Sequence, residues 1–347
     1  MLCLTACWRT PPSLVQNMGT LGAAPVEEIE IPEKDVVLIP LEGPIKASQS
    51  ELSGLAWFET DAGNLLLLLP QYPERFTGGD EGAIFALNER DIISWLDGKN
   101  TESLMPIQIP FYAPGISSKV RGFEGYEAIS VNEGRVYLSI ESKPGPGMMG
   151  YLVSGILEPD LSALRLDVNS LAKIEPQARL SNMTDESIIA AGSSLITLFE
   201  AYGANVNKNP VAHRFDLELN PSQDLSFPSI EYRITDATAA DENGIFWVIN
   251  YFYPGDTKLK PIPDPLVDIY GEGETHLEQV GVERLVALQF TENGIQPVAQ
   301  PPVYLRLLED GTARNWEGLV RLGDRGFLLV TDQYPETLFG FIRYDHP

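Results

Sequence analysis

Acidic residues recur at corresponding places in four of five related stretches of this 347-residue chain. Glu127 and Glu141, Glu186 and Glu200, and Asp236 and Asn250 are each 14 residues apart, Glu317 and Asp332 are 15 apart, and Gly54 and Gln71 are 17 apart. In each pair the first residue opens a short apolar run and the second closes a stronger one. Carboxylates gathered in this way cannot all stay ionised without compensation. A hard cation would supply it, and Ca2+ suits best because it accepts about six to eight oxygen ligands in loose geometry. The candidate metal ligands are therefore Glu127, Glu141, Glu186, Glu200, Asp236, Glu317 and Asp332. Each could instead accept hydrogen bonds from backbone amides at strand corners. A transition-metal centre is poorly supported: His213, His276 and His346 have no paired spacing, and neither Cys3 nor Cys7 lies near them.

The tetrapeptide QYPE appears twice, at Gln71–Glu74 and Gln333–Glu336, each time after an apolar strand. With Asn250, the residues Gln71, Tyr72, Gln333 and Tyr334 are candidates for ligand contact at the same place. Their alternative role is turn packing, in which Pro fixes the corner and Tyr caps it. A serine esterase finds no support, since the chain has no GxSxG. The phosphate loop GxxxxGK[ST] is also absent, and Pro144–Gly150 reads as a turn between strands.

Composition bounds the partners. Against 24 basic residues stand 49 acidic ones, a formal charge of -25, so the average field repels nucleic acid and anionic headgroups. A small molecule or a cation is the expected ligand, and a monomer the expected state. With Cys3 and Cys7 the sole cysteines, no disulfide can staple the body. Leu4-Thr5-Ala6-Cys7 matches a lipobox, with Cys7 the lipidated residue and the only expected link to a membrane. The segment before it is too short for a full signal peptide. Two readings stay open: an exported, envelope-anchored protein whose start is misplaced, or a cytoplasmic one with a chance match. Residues 1–34 then form a remnant and tether, and 35–347 a single domain.

That domain reads as all-β. Gly (30) and Pro (27) punctuate short apolar runs along the whole length. The five stretches, from Ser53, Glu124, Thr184, Thr235 and Trp316, share one plan of strand, turn and stronger strand. Further strand candidates lie between them, from Ala83, Tyr151, Ala163, Ala212 and Arg284. Repeats of this length with about four strands each fit a β-propeller of five or six blades. The last has room for about three strands, and Asp35–Gly43 could supply the fourth and close the ring. Pro254–Gly281 is either a decorating loop or part of a sixth blade.

The stretches Gly122–Ser142, Asp185–Asn207 and Asn315–Pro335, each with an acidic anchor and a strand ending in an acid, resemble the phytase-like family, also described as having esterase-like activity of phytase. The resemblance covers most of the chain and implies an extracytoplasmic propeller with phosphoric or carboxylic ester hydrolase chemistry, metal-assisted at the acidic mouth. Set against a phosphorylated substrate, the candidate corners offer few bases: Arg75, Arg121, Lys143 and Arg314. Two alternatives remain, a non-catalytic envelope binding or assembly propeller and a lactonase or sugar-oxidoreductase-type propeller. The sequence nominates no catalytic residue.

Overall fold

The computed structural model describes residues 30–77, 82–261 and 263–345. The lipobox and Cys7 lie outside them. The strand Gly63–Pro70 shows why a five-leucine run is possible. Leu65, Leu67 and Leu69 pack on one face with Ile129, Val136 and Leu138, while Leu66 and Leu68 pack on the other with Val320, Leu328 and Val330. A strand covered on both faces has no need of polar alternation, and each fully buried leucine contributes roughly 1.5–3 kcal/mol.

The same arrangement repeats in five antiparallel units, numbered here in chain order. Unit 1 comprises Leu52–Thr60, Gly63–Pro70, Ala83–Asn88 and Ile107–Tyr112; unit 2, Phe123–Asn132, Arg135–Ser142, Met149–Leu157 and Leu164–Ile174. Unit 3 comprises Asp185–Ala191, Ser194–Phe199, Val211–Asp216 and Leu225–Ser226; unit 4, Arg233–Ala237, Ile245–Phe252, Val282–Thr291 and Gly294–Pro297. Unit 5 contains Trp316–Arg321, Gly326–Thr331 and Phe339–Arg343, and takes its fourth strand from Val37–Leu38, where Val37 pairs with Phe341 and Leu38 with Gly340. Units 1 and 2 also join edge to edge through Leu164–Arg165 against Phe111–Tyr112.

The innermost strands are β1 (Leu52–Thr60), β2 (Phe123–Asn132), β3 (Asp185–Ala191), β4 (Arg233–Ala237) and β5 (Trp316–Arg321). Each packs against the next, and β5 packs back against β1. The chain is a β-propeller closed by its N-terminal strand. Its apolar cores lie between neighbouring units rather than at the axis.

Two local expectations change, and one of two open readings is taken up. The stretch after Ala83 is a strand only to Asn88 and continues as a helix, Glu89–Leu96. Glu89 and Asp91 in its first turn suit the helix dipole, and Ile92 is buried. The tether ends before residue 34, since Glu30–Ile31 pairs with Glu272–Gly273 and Glu33 accepts hydrogen bonds from Thr275. Pro254–Gly281 decorates unit 4, holding the short helices Pro265–Tyr270 and Glu274–Glu278.

The inner strands approach closely where a small residue follows each anchor. A Cβ on Gly318 would lie 2.5 Å from Val330 Cγ2 and 2.9 Å from Leu55 Cγ. Gly318→Val should therefore lower stability by about 1–3 kcal/mol, read as a lower urea midpoint with unchanged slope. An unchanged midpoint would mean that β5 and β1 are not closely packed.

Candidate functional site

The repeated anchors have a structural cause: each inner strand breaks register at its anchor. The shifts fall between Leu52 and Gly54, Tyr126 and Ala128, Asp185 and Ser187, Ile234 and Ala237, and Trp316 and Gly318. An extra residue at such a bulge is re-aimed relative to the sheet. Glu127, Glu186 and Glu317 are the re-aimed residues in three units, and all three reach one cavity of about 940 Å³. Glu141 and Asp332, from the ends of the second strands, reach it too, as do Gln71, Tyr72, Gln333 and Tyr334.

Asp236 and Asn250, expected at the mouth, turn away from it. With one methylene fewer than Glu, Asp236 stays in the channel wall, its carboxylate accepting from the backbone N–H of Leu319 at 2.7 Å and of Ala237 at 2.8 Å. Beside it Thr235 Oγ1 donates to the Trp316 carbonyl, and in unit 1 Ser53 Oγ donates to that of Tyr126. These short side chains stitch neighbouring inner strands together. Asn250 Nδ2 donates to the carbonyls of Glu231 and Arg233, while its Oδ1 accepts from Arg284 Nε. It positions the backbone of Arg233.

Arg233 is the functional residue that sequence reasoning missed. Its Nε donates to Glu200 Oε1, and its other nitrogens lie 4.0 Å from Glu186 Oε1 and 3.9 Å from Asp256 Oδ2. Glu200, fully buried, sits behind the guanidinium rather than on the cavity wall. Tyr232, immediately before it, holds φ 70, uncommon for a bulky side chain, and packs on Phe252 and Arg284. A second cation, Arg75, pairs with Glu51 at 2.8 Å and stacks on Tyr72. The signal lay in unit 4, where the acid pair is weakened to Asp236 and Asn250 and an arginine stands three residues before the anchor.

The acids outnumber these cations, and burial leaves protons on them. Burial raises Glu127 to about 7, against a lowering hydrogen bond from Gln71 Nε2 at 2.8 Å. Glu141 rises to about 9, through burial first and then the charges of Glu127 and Glu200. Burial also pushes Glu186 and Glu317 well up and Asp332 up. Burial raises Glu200 as well, against the lowering charge of Arg233. Among the described residues no three His, Cys, Asp or Glu side chains are grouped to hold a metal ion. The cation that these acids meet is the Arg233 guanidinium.

No family model matches the chain, and no curated protein does. Solved structures similar to it include an exo-1,5-α-L-arabinanase from a bovine ruminal metagenomic library (10% identity, 87% of this chain and 95% of that one, TM-score 0.44). A mutant α-L-arabinanase from Cellvibrio cellulosa shares 12% identity over 84% of this chain and 90% of that one, with TM-score 0.45. A glycosyl hydrolase from Bacteroides ovatus shares 10% over 91% and 90%, with TM-score 0.43. Likeness at that level says nothing of what this chain acts on.

Two outcomes follow from the charge balance. Removing Arg233 strands Glu200, so Arg233→Gln should cost about 3–5 kcal/mol near neutral pH, and less in mild acid, where carboxyls accept protons instead. Chemical denaturation at both pH values checks this, and equal costs would contradict it. Glu127 and Glu141 bind protons more tightly folded than at their ordinary value of 4.5. Their contribution is present below that value and lost as pH rises through about 7 and about 9. The melting temperature should fall across this range, with a shallower fall in Glu141→Gln; a flat profile would mean that both are ionised in the fold.

Proposed function

We propose that the protein is a hydrolase whose acidic mouth cleaves a glycosidic or carboxylic ester bond by carboxyl acid–base catalysis, and that its five units are the whole set of blades. The observation that carries this reading is Glu127, a carboxyl that ionises at about 7, on the wall of a cavity shared with Glu317 and Asp332. A proton donor works best when its pKa lies near the working pH, and Asp332, raised less strongly than Glu317, is the second carboxyl that ionises to steady the positive charge developing at a glycosidic carbon. Gln71 fixes the Glu127 carboxyl by donating to Oε1, leaving Oε2 to face substrate. Asn315 does the same for Glu317, its Nδ2 donating to Oε1 at 2.5 Å.

The phosphate chemistry implied by the phytase-like resemblance is less well served. Of the cations on the cavity wall, Arg75 is bound to Glu51 and Arg233 to Glu200, so neither is free to clamp a phosphoryl group.

A panel of nitrophenyl glycosides, carboxylic esters and phosphates tests the reading. Turnover is expected among the first two classes, with kcat/KM falling above a pKa near 7. Glu127→Gln should reduce it by about 100- to 10,000-fold and remove that pH limb. EDTA should leave the rate unchanged. Turnover of phosphates alone, or a rate restored by Ca2+ after chelation, would replace the reading with a metal-assisted phosphoesterase; inactivity across the panel would leave a binding propeller.

A further inference from the structure

The cavity wall carries seven acids, Glu51, Glu127, Glu141, Glu186, Asp256, Glu317 and Asp332, against the two bases Arg75 and Arg233. Both bases are already engaged with acids. What remains is a surplus of acceptors with too few donors. Glu141 is 3% exposed, and its Oε1 is buried with no hydrogen-bond partner; Asn315 is 8% exposed, and its Oδ1 is likewise buried and unpartnered. Both residues face the cavity. A buried acceptor left without a donor is costly, more so when it carries charge.

We propose that the mouth binds an organic ammonium group, which donates to the unpartnered acceptors Glu141 Oε1 and Asn315 Oδ1 on its wall. An ammonium brings three N–H donors and a positive charge that takes the place of the proton burial holds on Glu141. A neutral polyol supplies donors and leaves that proton where it is. A bare divalent metal would need several carboxylates grouped around it, and the described residues show no such group. The rim fits the same ligand class. Tyr253 and Tyr334 border the cavity while 53% and 61% exposed, offering aromatic faces to an alkylammonium chain as it enters. The inference rests on the hydrolase reading, whose substrate class it names: an ester or glycoside carrying an amine close to the scissile bond.

Isothermal titration of the full chain at low salt with spermidine, pentane-1,5-diol and CaCl2 tests it. Saturable spermidine binding at one site, weakened by salt and accompanied by a higher melting temperature, is the expected result. The diol should not bind. Glu141→Gln and, independently, Asn315→Ala should each weaken spermidine, the former by about tenfold or more. Equal binding to wild type and both variants would mean diffuse attraction to an acidic surface and would overturn the proposal. So would equal binding of the diol, or Ca2+ displacing spermidine from the mouth. Spermidine binding without turnover of any ester or glycoside sinks the hydrolase and leaves the amine site. Turnover of a neutral substrate that spermidine fails to inhibit does the reverse.

Discussion

Like charges pressed around one axis set the terms for this molecule. The inner strands each carry a bulge at the same level, and three of those bulges aim a glutamate inward. In water such a group would ionise and spread apart. Here the backbone of every strand is held by its neighbours, so the carboxyls cannot separate and must be neutralised where they stand. One guanidinium, that of Arg233, meets part of the demand, and protons retained on Glu141, Glu186 and Glu317 meet more. The site's chemistry is the residue of that incomplete balance.

What makes the confinement possible is the packing around it. Successive residues of one strand belong to two different cores, as with Leu65 to Leu69 or with Phe327 and Leu328. Every unit is clamped between two others, and the axis itself is left to polar groups. Asp236, Thr235 and Ser53 tie inner strands to one another below the mouth, so the acids above rest on strands joined by side-chain hydrogen bonds. A rigid floor keeps the carboxyls of the mouth at fixed separations, while exposed Tyr253 and Tyr334 stand at the rim.

Much of this was legible in the residues. The ring followed from the strand pattern and from the recurrence of Glu127, Glu186 and Glu317 ahead of small residues, because a bulge and a close approach both constrain residue type. Asp236 and Asn250 occupy the matching register but not the matching place, since register fixes where a backbone lies and not how far a side chain extends. Arg233 was missed because its partners, Glu186, Glu200 and Asp256, come from the neighbouring unit and a loop, and no local pattern encodes such a meeting. The helix Glu89–Leu96 escaped for a different reason: its isoleucines and tryptophan suit a strand equally well over so short a span.

The clasp between Val37–Leu38 and Phe339–Arg343 couples the architecture to its synthesis. A nascent chain leaving the ribosome exposes its leucine-rich strand long before Val320, Leu328 and Val330 exist to cover one side of it. Closure waits for the last strand of the ring, about 300 residues after the first, which favours slow, late and cooperative assembly and gives chaperones a long interval in which to act.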